Sequence, residues 1–283
     1  MALKTALTKA APVVLSISRI VIGFLVLWHG LIKIVGFPAG QGDQVPVMSL
    51  MGLTGLIELV GGALMMLGLF TRPVAAVIFL DMTISYMVLN LPQGFFSIRN
   101  DGEAAMTYAV FFLFVAAAGA GPLAVDWLMK RSSGDSPAQL DTRGAAITLG
   151  IMRIAVAFMF IQHGMQKYLG SFGSRADHNW STIRAWGGVM EFYLSPLLGV
   201  GLFVRPISFL LSGEMAVAYF TRWASLGPWG SLPRGEASIY FCYIYLFMFT
   251  AGGGAWALDN VISRRRARVA APVKLEEAGV SRV

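Results

Sequence analysis

Three polar residues interrupt an otherwise apolar stretch near the start of the chain. Arg19, His29 and Lys33 lie within residues 13–35, a segment hydrophobic enough to cross a bilayer. An ionisable side chain at that depth is costly, and it is usually paired or functional. The same residue types recur at identical spacing 134 positions later, at Arg153, His163 and Lys167. The sequence therefore predicts two copies of one polar-studded helix.

The first set of candidate catalytic residues combines a histidine, a lysine and a glutamate. His29 and Lys33 are four positions apart on one helix face, and Glu58 lies at a comparable depth in the next apolar segment. A histidine beside a carboxylate can hold, accept and release a proton near neutral pH, as a proton relay or a quinone site requires. The alternative is a hydrogen bond that only satisfies two polar groups between helices. The second copy supplies the same set at His163, Lys167 and Glu191.

Four further pairs of charges are predicted to be structural. Arg19 and Asp81 have similar estimated depths, so we expect a buried ion pair between the first and third helices. Asp126 lies where a helix dipole disfavours an anion, and we expect Arg72 to neutralise it. The second half repeats both expectations, with Arg153–Glu214 and Arg205–Asp259.

Two more glutamates, Glu103 and Glu236, are predicted to open the last helix of each half. A carboxylate is favoured at that end of a helix, so capping is the simpler interpretation. A functional role near a pocket mouth stays open. The single cysteine, Cys242, and three histidines indicate no metal cluster. A haem would need His29 and His163 to face each other, and nothing in the sequence requires this.

Composition places these residues in a membrane protein. Of the 283 residues, 56% are hydrophobic and 13% are charged, and the mean hydropathy is +0.67. A soluble domain carries about 25% charged residues. The net charge of +7 does not indicate nucleic acid, because the basic residues lie at helix flanks and in tails, without base-stacking aromatics.

Eight apolar segments are long enough to span a bilayer as helices. The expected fold is therefore an all-α integral membrane protein with eight transmembrane helices. The segments are residues 13–35, 49–70, 73–91, 104–128, 146–169, 184–203, 206–224 and 237–261.

A duplication covers nearly the whole chain. Glu58 matches Glu191, and Gly68-Leu-Phe-Thr-Arg72-Pro73 matches Gly201-Leu-Phe-Val-Arg205-Pro206. Each half has four helices, an even number, so the halves are parallel repeats that we expect to form two four-helix bundles. The expected organisation is a first module at 1–129, a cytoplasmic linker at 130–145, a second module at 146–262 and a basic cytoplasmic tail at 263–283.

Basic residues predict the orientation of the chain. One set of loops and both ends carry most of the lysines and arginines, which indicates the cytoplasmic side. The chain is therefore expected to be a multi-pass protein of the cytoplasmic membrane, with membrane lipids around it and both termini inside.

The repeated motifs resemble those of the DoxX family, within the DoxX/DoxD-like group of small membrane proteins. The resemblance is carried by Arg19, His29-Gly30, Lys33, Glu58 and the run from Gly102-Glu103 through Tyr108 to Asp126, and by their counterparts in the second half. Family members are typically single four-helix units, so this chain resembles a fused pair of DoxX modules.

This chain departs from the family pattern at some positions. Many family members have a histidine near the outer end of the third helix, where this chain has Asn90 and Trp223. The second copy also has Tyr193-Leu194 where the first has Val60-Gly61, and Ala157 in place of Gly23. The second copy is therefore expected to be partly structural.

The resemblance implies respiratory or redox chemistry, including quinone-linked oxidation of sulfur compounds in some relatives. One hypothesis is a quinone-interacting subunit of a membrane oxidoreductase. Such a subunit would not be catalytic alone, because a redox partner subunit would have to carry the electrons. A second hypothesis is a non-catalytic scaffold or assembly partner of a redox complex. A third is a small-solute transporter, against which parallel halves without a broken-helix midplane site argue.

Overall fold

The protein is built from helices that follow the duplicated sequence. A computed structural model describes residues 2–40, 44–130 and 138–270, and these residues contain no strand. The first half comprises α1 (Ala2–Gly30), α2 (Leu50–Leu67), α3 (Thr71–Ser85), α4 (Glu103–Ala118) and the short α5 (Val125–Lys130). The second half comprises α6 (Arg143–Gly164), α7 (Ile183–Val200), α8 (Val204–Arg222), α9 (Gly227–Ala251) and α10 (Leu258–Ala270).

The long helices pack in a cyclic order. Consecutive helices contact each other within each half, and α1 also packs against α9 while α4 packs against α6. Both closing contacts join one half to the other. The expectation of two separate four-helix bundles is therefore modified, because the halves complete one shared bundle. Its core is rich in aromatic residues of α4, α6 and α9, including Phe111, Phe114, Phe160, Phe241 and Phe247.

The predicted boundaries fail most clearly at the last helix of each half. The segment predicted at 104–128 ends at Ala118, because Gly119 and Gly121 adopt positive φ angles that stop the helix. The helix predicted at 237–261 is α9, which spans Gly227–Ala251 and so begins and ends earlier than predicted. It ends before Gly252, which also has a positive φ angle. Glu103 does open α4, whereas Glu236 lies inside α9 and cannot cap its start.

The aspartates after these glycines cap other helices instead of pairing with arginines. The carboxylate of Asp126 accepts hydrogen bonds from the backbone N–H groups of Phe70 and Thr71 at 2.8 and 2.7 Å, at the start of α3. Asp259 accepts equivalent bonds from Phe203 and Val204, both at 2.9 Å. A helix start offers unpaired N–H donors and the positive end of the helix dipole. For a carboxylate, these are more favourable partners than an arginine at the surface.

The Arg72 and Arg205 side chains accordingly have other partners. Arg72 donates to the side-chain oxygen of Gln139 at 2.7 Å. Arg205 donates to the carbonyl oxygens of Phe249 and Thr250 at 2.9 and 2.6 Å, near the C-terminus of α9. A cation is favoured at that end of a helix. The predicted Arg72–Asp126 and Arg205–Asp259 pairs are wrong.

The two fully buried arginines also bind carbonyl groups. Arg19 donates to the carbonyl oxygen of Ala120 at 3.0 Å and to that of Met65, in the last turn of α2. Arg153 donates to the carbonyl oxygens of Gly253 and Ala255. The last carbonyls of a helix have no partner within it, and a long guanidinium supplies several donors at once. The predicted Arg19–Asp81 and Arg153–Glu214 pairs are therefore wrong.

Among the residues that the structure describes, four helices are long and apolar enough to cross a membrane. They are the continuous helical stretches Ala2–Val35, Leu50–Leu67, Thr71–Gln93 and Arg143–Leu169, and Glu103–Ala118 is a shorter apolar helix. Helices α7 and α8 are not among these four, because charged residues such as Arg184, Glu191 and Glu214 lower their mean hydropathy. Large apolar side chains such as Val60, Leu80, Phe209 and Phe220 are exposed on the outer helix faces, as a lipid-facing surface requires.

Two predicted segments fall partly outside the described residues. Within the predicted linker at 130–145, residues 131–137 are not described, and α6 begins at Arg143. Within the predicted tail at 263–283, residues 271–283 are not described, whereas residues 263–270 belong to α10.

Glycines set the closest helix crossings, and they do so at matched positions. A Cβ atom on Gly30 would lie 2.3 Å from the backbone nitrogen of Leu59, and one on Gly164 would lie 2.3 Å from that of Phe192. Neither backbone can move without separating the two packed helices. These crossings, α1 on α2 and α6 on α7, hold the histidine-bearing helices in place.

We predict that Gly30→Ala lowers the free energy of unfolding by about 1–3 kcal/mol, the usual cost of overpacking. The matched control is Gly213→Ala, because a Cβ atom at Gly213 meets nothing within 4 Å. Thermal unfolding of the two purified variants in one detergent makes the comparison. Equal melting temperatures would contradict the close-crossing argument.

Candidate functional site

The histidine of the first half binds a carboxylate of the second half. His29 lies in the last turn of α1, and its Nε2 atom is 2.7 Å from Oε1 of Glu236 on α9. Glu58 interacts with His29 electrostatically but is not its hydrogen-bond partner. The predicted His29–Glu58 pair is therefore corrected to a pair that crosses between the halves.

Glu58 is paired with the lysine instead. Nζ of Lys33 donates to Oε1 of Glu58 at 2.6 Å. Lys33 lies in a π-helical turn, Leu31–Val35, which directly follows α1. This wider turn shifts Lys33 from the α-helical position of an i+4 residue, so His29 faces α9 while Lys33 faces α2.

Two more side chains complete this group, which we call the first cluster: His29, Lys33, Glu58, Asp81, Tyr108 and Glu236. The Tyr108 hydroxyl donates to the same Oε1 atom of Glu236 that faces His29. Asp81 interacts electrostatically with both Glu58 and Lys33. The cluster thus runs from α3 through α2 and α1 to α9 and α4.

The second cluster repeats this plan with His163, Lys167, Glu191, Glu214 and Glu103. His163 Nε2 lies 2.8 Å from Oε1 and 2.9 Å from Oε2 of Glu103, on α4 of the first half. Lys167, again in a π-helical turn, donates to Glu191. The His163–Glu191 pair is corrected in the same way as its counterpart. The Glu214 carboxyl lies beside that of Glu191.

The clusters differ in the acid on the third helix of each half. The longer Glu214 replaces Asp81, and a Cβ atom on Gly187 would lie only 2.8 Å from Oε1 of Glu214. The first half has Thr54 at the position of Gly187. A longer acid in the second half is therefore accommodated by a smaller neighbour.

The clusters also differ in their tyrosines. The position of Tyr108 is taken by Phe241 in the second half, so the phenol that binds the His29–Glu236 pair is absent at that position. Tyr245, on α9, instead interacts electrostatically with Glu214, Glu191 and Glu103. Each cluster therefore has a buried phenol, but only the phenol in the first cluster is bonded to a histidine-bound carboxylate.

Acidic groups outnumber basic groups in each cluster. Three carboxyls face one ammonium and one imidazole, so even a protonated histidine leaves an excess negative charge. Glu58 and Glu191 are almost fully buried, whereas the side chain of His29 is 32% exposed. A buried net charge is expensive. Each cluster is therefore arranged to retain a proton among its carboxyls, with the histidine on the accessible side.

The sequence favours capping for Glu103 and Glu236 and leaves a functional role open, and it predicts no role for the tyrosines. The signal that could have found them is their position in the repeat. Glu103 and Glu236 are matched, and Tyr108 lies five residues after Glu103, which puts both on the helix that closes the bundle. In the described part of the chain, no three histidine, cysteine or acidic side chains converge as metal ligands would.

The fold and the clusters define a class: an all-helical, internally duplicated membrane protein with buried acid–base pairs between its halves. The family model named DoxX matches residues 14–91 and again residues 148–223. Each match lies within one half and covers three of its long helices. The chain belongs to the DoxX family, and the two matches confirm the tandem duplication.

One curated relative has the size of a single half. An uncharacterized protein of Haemophilus influenzae is 38% identical over 127 residues, which cover 42% of this chain and 93% of the relative. No solved structure matches the chain. Family membership indicates a membrane protein, and the two matches indicate a repeated module. Neither the family model nor this relative assigns an activity.

We predict that His29 and Glu236 are energetically coupled across the two halves. In a double-mutant cycle with His29→Gln and Glu236→Gln, we expect a coupling energy of about 0.5–3 kcal/mol, because the partners share a buried hydrogen bond. Denaturant unfolding of the purified protein measures it.

The matched control pairs the same residue types without a bond between them. His29→Gln combined with Glu103→Gln should be additive within about 0.5 kcal/mol, because these residues belong to different clusters. Equal coupling in both cycles would contradict the cross-half pairing.

Proposed function

We propose that this chain is an integral membrane subunit of a quinone-linked oxidoreductase, in which the two clusters handle protons. The observation that supports this most is the excess of buried carboxyls around the His29–Glu236 and His163–Glu103 pairs. A group of acids that retains a proton, joined to a histidine on the accessible side, is what proton exchange with a bound substrate requires.

The chemistry of a quinone fits the first cluster. Reduction of a quinone to a quinol takes two electrons and two protons. A partner subunit would supply the electrons, and His29 and Glu236 would hold and pass protons, with the Tyr108 hydroxyl bonded to the same carboxylate. Buried oxygens of Glu58 and Asp81 have no hydrogen-bond partner in the described part of the chain, so each retains capacity to take up a proton.

The proposal includes the cytoplasmic membrane as location, with both termini inside. It is supported by the lysines and arginines concentrated at both ends and in the loops on one side. The described end of α10 carries Arg264, Arg265 and Arg266, and all three are exposed, as contact with an anionic membrane surface or the cytoplasm requires.

A second candidate function is a non-catalytic scaffold or assembly partner of a redox complex. It is favoured by the buried arginines, since Arg19 and Arg153 bind carbonyl groups and have a structural explanation. It accounts less well for the carboxyl oxygens without partners, which add cost to a purely structural core. Small-solute transport is supported by no described contact.

Lipid extraction of the purified protein tests the proposal. We expect a quinone to co-purify in roughly stoichiometric amount, and we expect Glu58→Gln to reduce quinone-dependent turnover of the native membrane complex by about tenfold or more. The variant His178→Gln is the control, because this histidine is exposed and its Nε2 bonds only to the backbone oxygen of Tyr168.

The same measurement with Glu191→Gln asks whether both halves are active. An absorption spectrum of the purified protein tests for haem at the same time. If no quinone is extracted and Glu58→Gln leaves turnover unchanged, the scaffold function replaces the one proposed here.

A further inference from the structure

A cavity opens at the end of the bundle where α9 ends and α8 begins. Its volume is about 620 Å³, and it is lined by the glycines at 252–254, by the first turn of α8 and by α10. The start of α6 contributes Ala146 and Leu149, and the start of α1 contributes Lys4. Both halves of the chain therefore line the same cavity.

Three basic side chains reach this cavity from three helices, and we call it the basic cavity: Lys4 of α1, Arg205 of α8 and Arg266 of α10. Among the described residues, none of the three forms an ion pair with a carboxylate. Arg205 is held by carbonyl oxygens and donates to the hydroxyl of Thr8 at 3.0 Å. These partners are uncharged, so they fix the guanidinium without neutralising it.

Two carboxylates also line the basic cavity, but they leave its charge positive. Both oxygens of Asp259 accept hydrogen bonds from backbone N–H groups at the start of α8. Asp141 is exposed and lies just before α6. The three cations outnumber these two acids, and the exposed Arg264 and Arg265 of α10 add further positive charge nearby. The cavity therefore favours an anion.

Helix α10 has the sequence pattern of a helix that lies on a membrane surface. Leu258, Val261 and Ile262 have the i, i+3, i+4 spacing of one helix face, and all three are exposed. Arginines follow at positions 264–266. A helix with an apolar face and adjacent basic residues lies between the headgroups and the acyl chains. The basic cavity, which Ile262 lines, therefore lies at the level of the headgroups.

The apolar part of the lining distinguishes a lipid from a soluble anion. Leu202, Phe203 and Ile262 line the cavity beside the cations, and Phe203 and Ile262 are exposed at its edge. A free phosphate would use only the basic side chains. A phospholipid uses these side chains for its headgroup and the apolar edge for its acyl chains.

The cations of the basic cavity are not repeated in the first half. Arg205 corresponds to Arg72, but Lys4 corresponds to Ala138 and Arg266 corresponds to Ser133. Packing inherited through the duplication therefore does not account for the three basic residues at this end of the second half.

We propose that the basic cavity binds the phosphate of an anionic phospholipid, with Lys4, Arg205 and Arg266 around the headgroup and the acyl chains leaving past Phe203. This site is independent of the quinone-linked function. Lys4 belongs to the first half and the two arginines belong to the second, so the bound lipid joins the halves at this end of the bundle.

Native mass spectrometry of the full chain in an uncharged detergent tests the site. It measures the affinity for phosphatidylglycerol and for phosphatidylcholine, whose phosphate is neutralised by its choline. We expect the wild-type protein to bind phosphatidylglycerol more tightly. We expect Lys4→Gln and Arg266→Gln each to weaken that binding about fivefold, because a basic residue near an anionic lipid contributes about 1 kcal/mol.

The matched control is Arg264→Gln, the same change of charge on the same helix at a residue that does not line the cavity. It should weaken the binding of phosphatidylglycerol far less. All three side chains are exposed, so these variants should fold like the wild-type protein. If Arg264→Gln weakens binding as much as Arg266→Gln does, the general charge of α10 binds the lipid and the cavity assignment is overturned.

Two further outcomes would overturn the lipid assignment. The first is an equal affinity of the wild-type protein for the two phospholipids. The second is binding of inorganic phosphate alone, sensitive to Arg266→Gln, by a protein that does not retain phosphatidylglycerol. In that case the ligand is a soluble anion.

Discussion

The histidine on the first helix of each half has its carboxylate partner on the other half. His29 binds Glu236, and His163 binds Glu103. The hydrocarbon region of a membrane contains no water that could bind a polar side chain. The histidine on the first helix of each half therefore obtains its hydrogen bond by packing against the other half. The contacts of α1 with α9 and of α4 with α6 follow from this requirement. The arrangement is that of a two-fold dimer whose subunits are joined in one chain.

The repeat, the helical class and the identity of the polar residues could be predicted from the sequence, because each depends on composition and spacing alone. The hydrogen-bond and ion-pair partners of these polar residues could not be predicted. Arg19 and Asp81 have similar depths, but depth does not say which way a side chain faces. Arg19 turns to the carbonyl groups at the end of α2, and Asp81 turns to Glu58. Glu236 is predicted at a helix start because the apolar run begins at Ala237, whereas α9 begins earlier, at Gly227. Its pairing with His29 depends on the cyclic packing order, which is not visible in a linear sequence.

The two halves keep the directly bonded histidine, lysine and glutamate groups of the clusters and differ in the residues around these groups. The histidine, the lysine and the two glutamates that bind them are retained in both halves. The differences lie at Asp81, which corresponds to Glu214, at Tyr108, which corresponds to Phe241, and at Gly61, which corresponds to Leu194. Duplicated packing alone would be expected to keep the shape of the surroundings as closely as the charges. The retained bonded groups therefore lie in surroundings that differ between the two halves.

The buried arginines and the buried acids differ in how completely they are hydrogen-bonded. Both buried arginines donate to several carbonyl groups, although Nε of Arg153 has no hydrogen-bond partner in the described residues. The buried acids are bonded less completely, since Glu58, Asp81, Glu191 and Glu214 each keep an oxygen without a hydrogen-bond partner in the described residues. A leucine at any of these positions would pack without that cost. Four such acids, arranged two to each cluster, therefore give each cluster acceptor capacity that the contacts of the described residues leave unused.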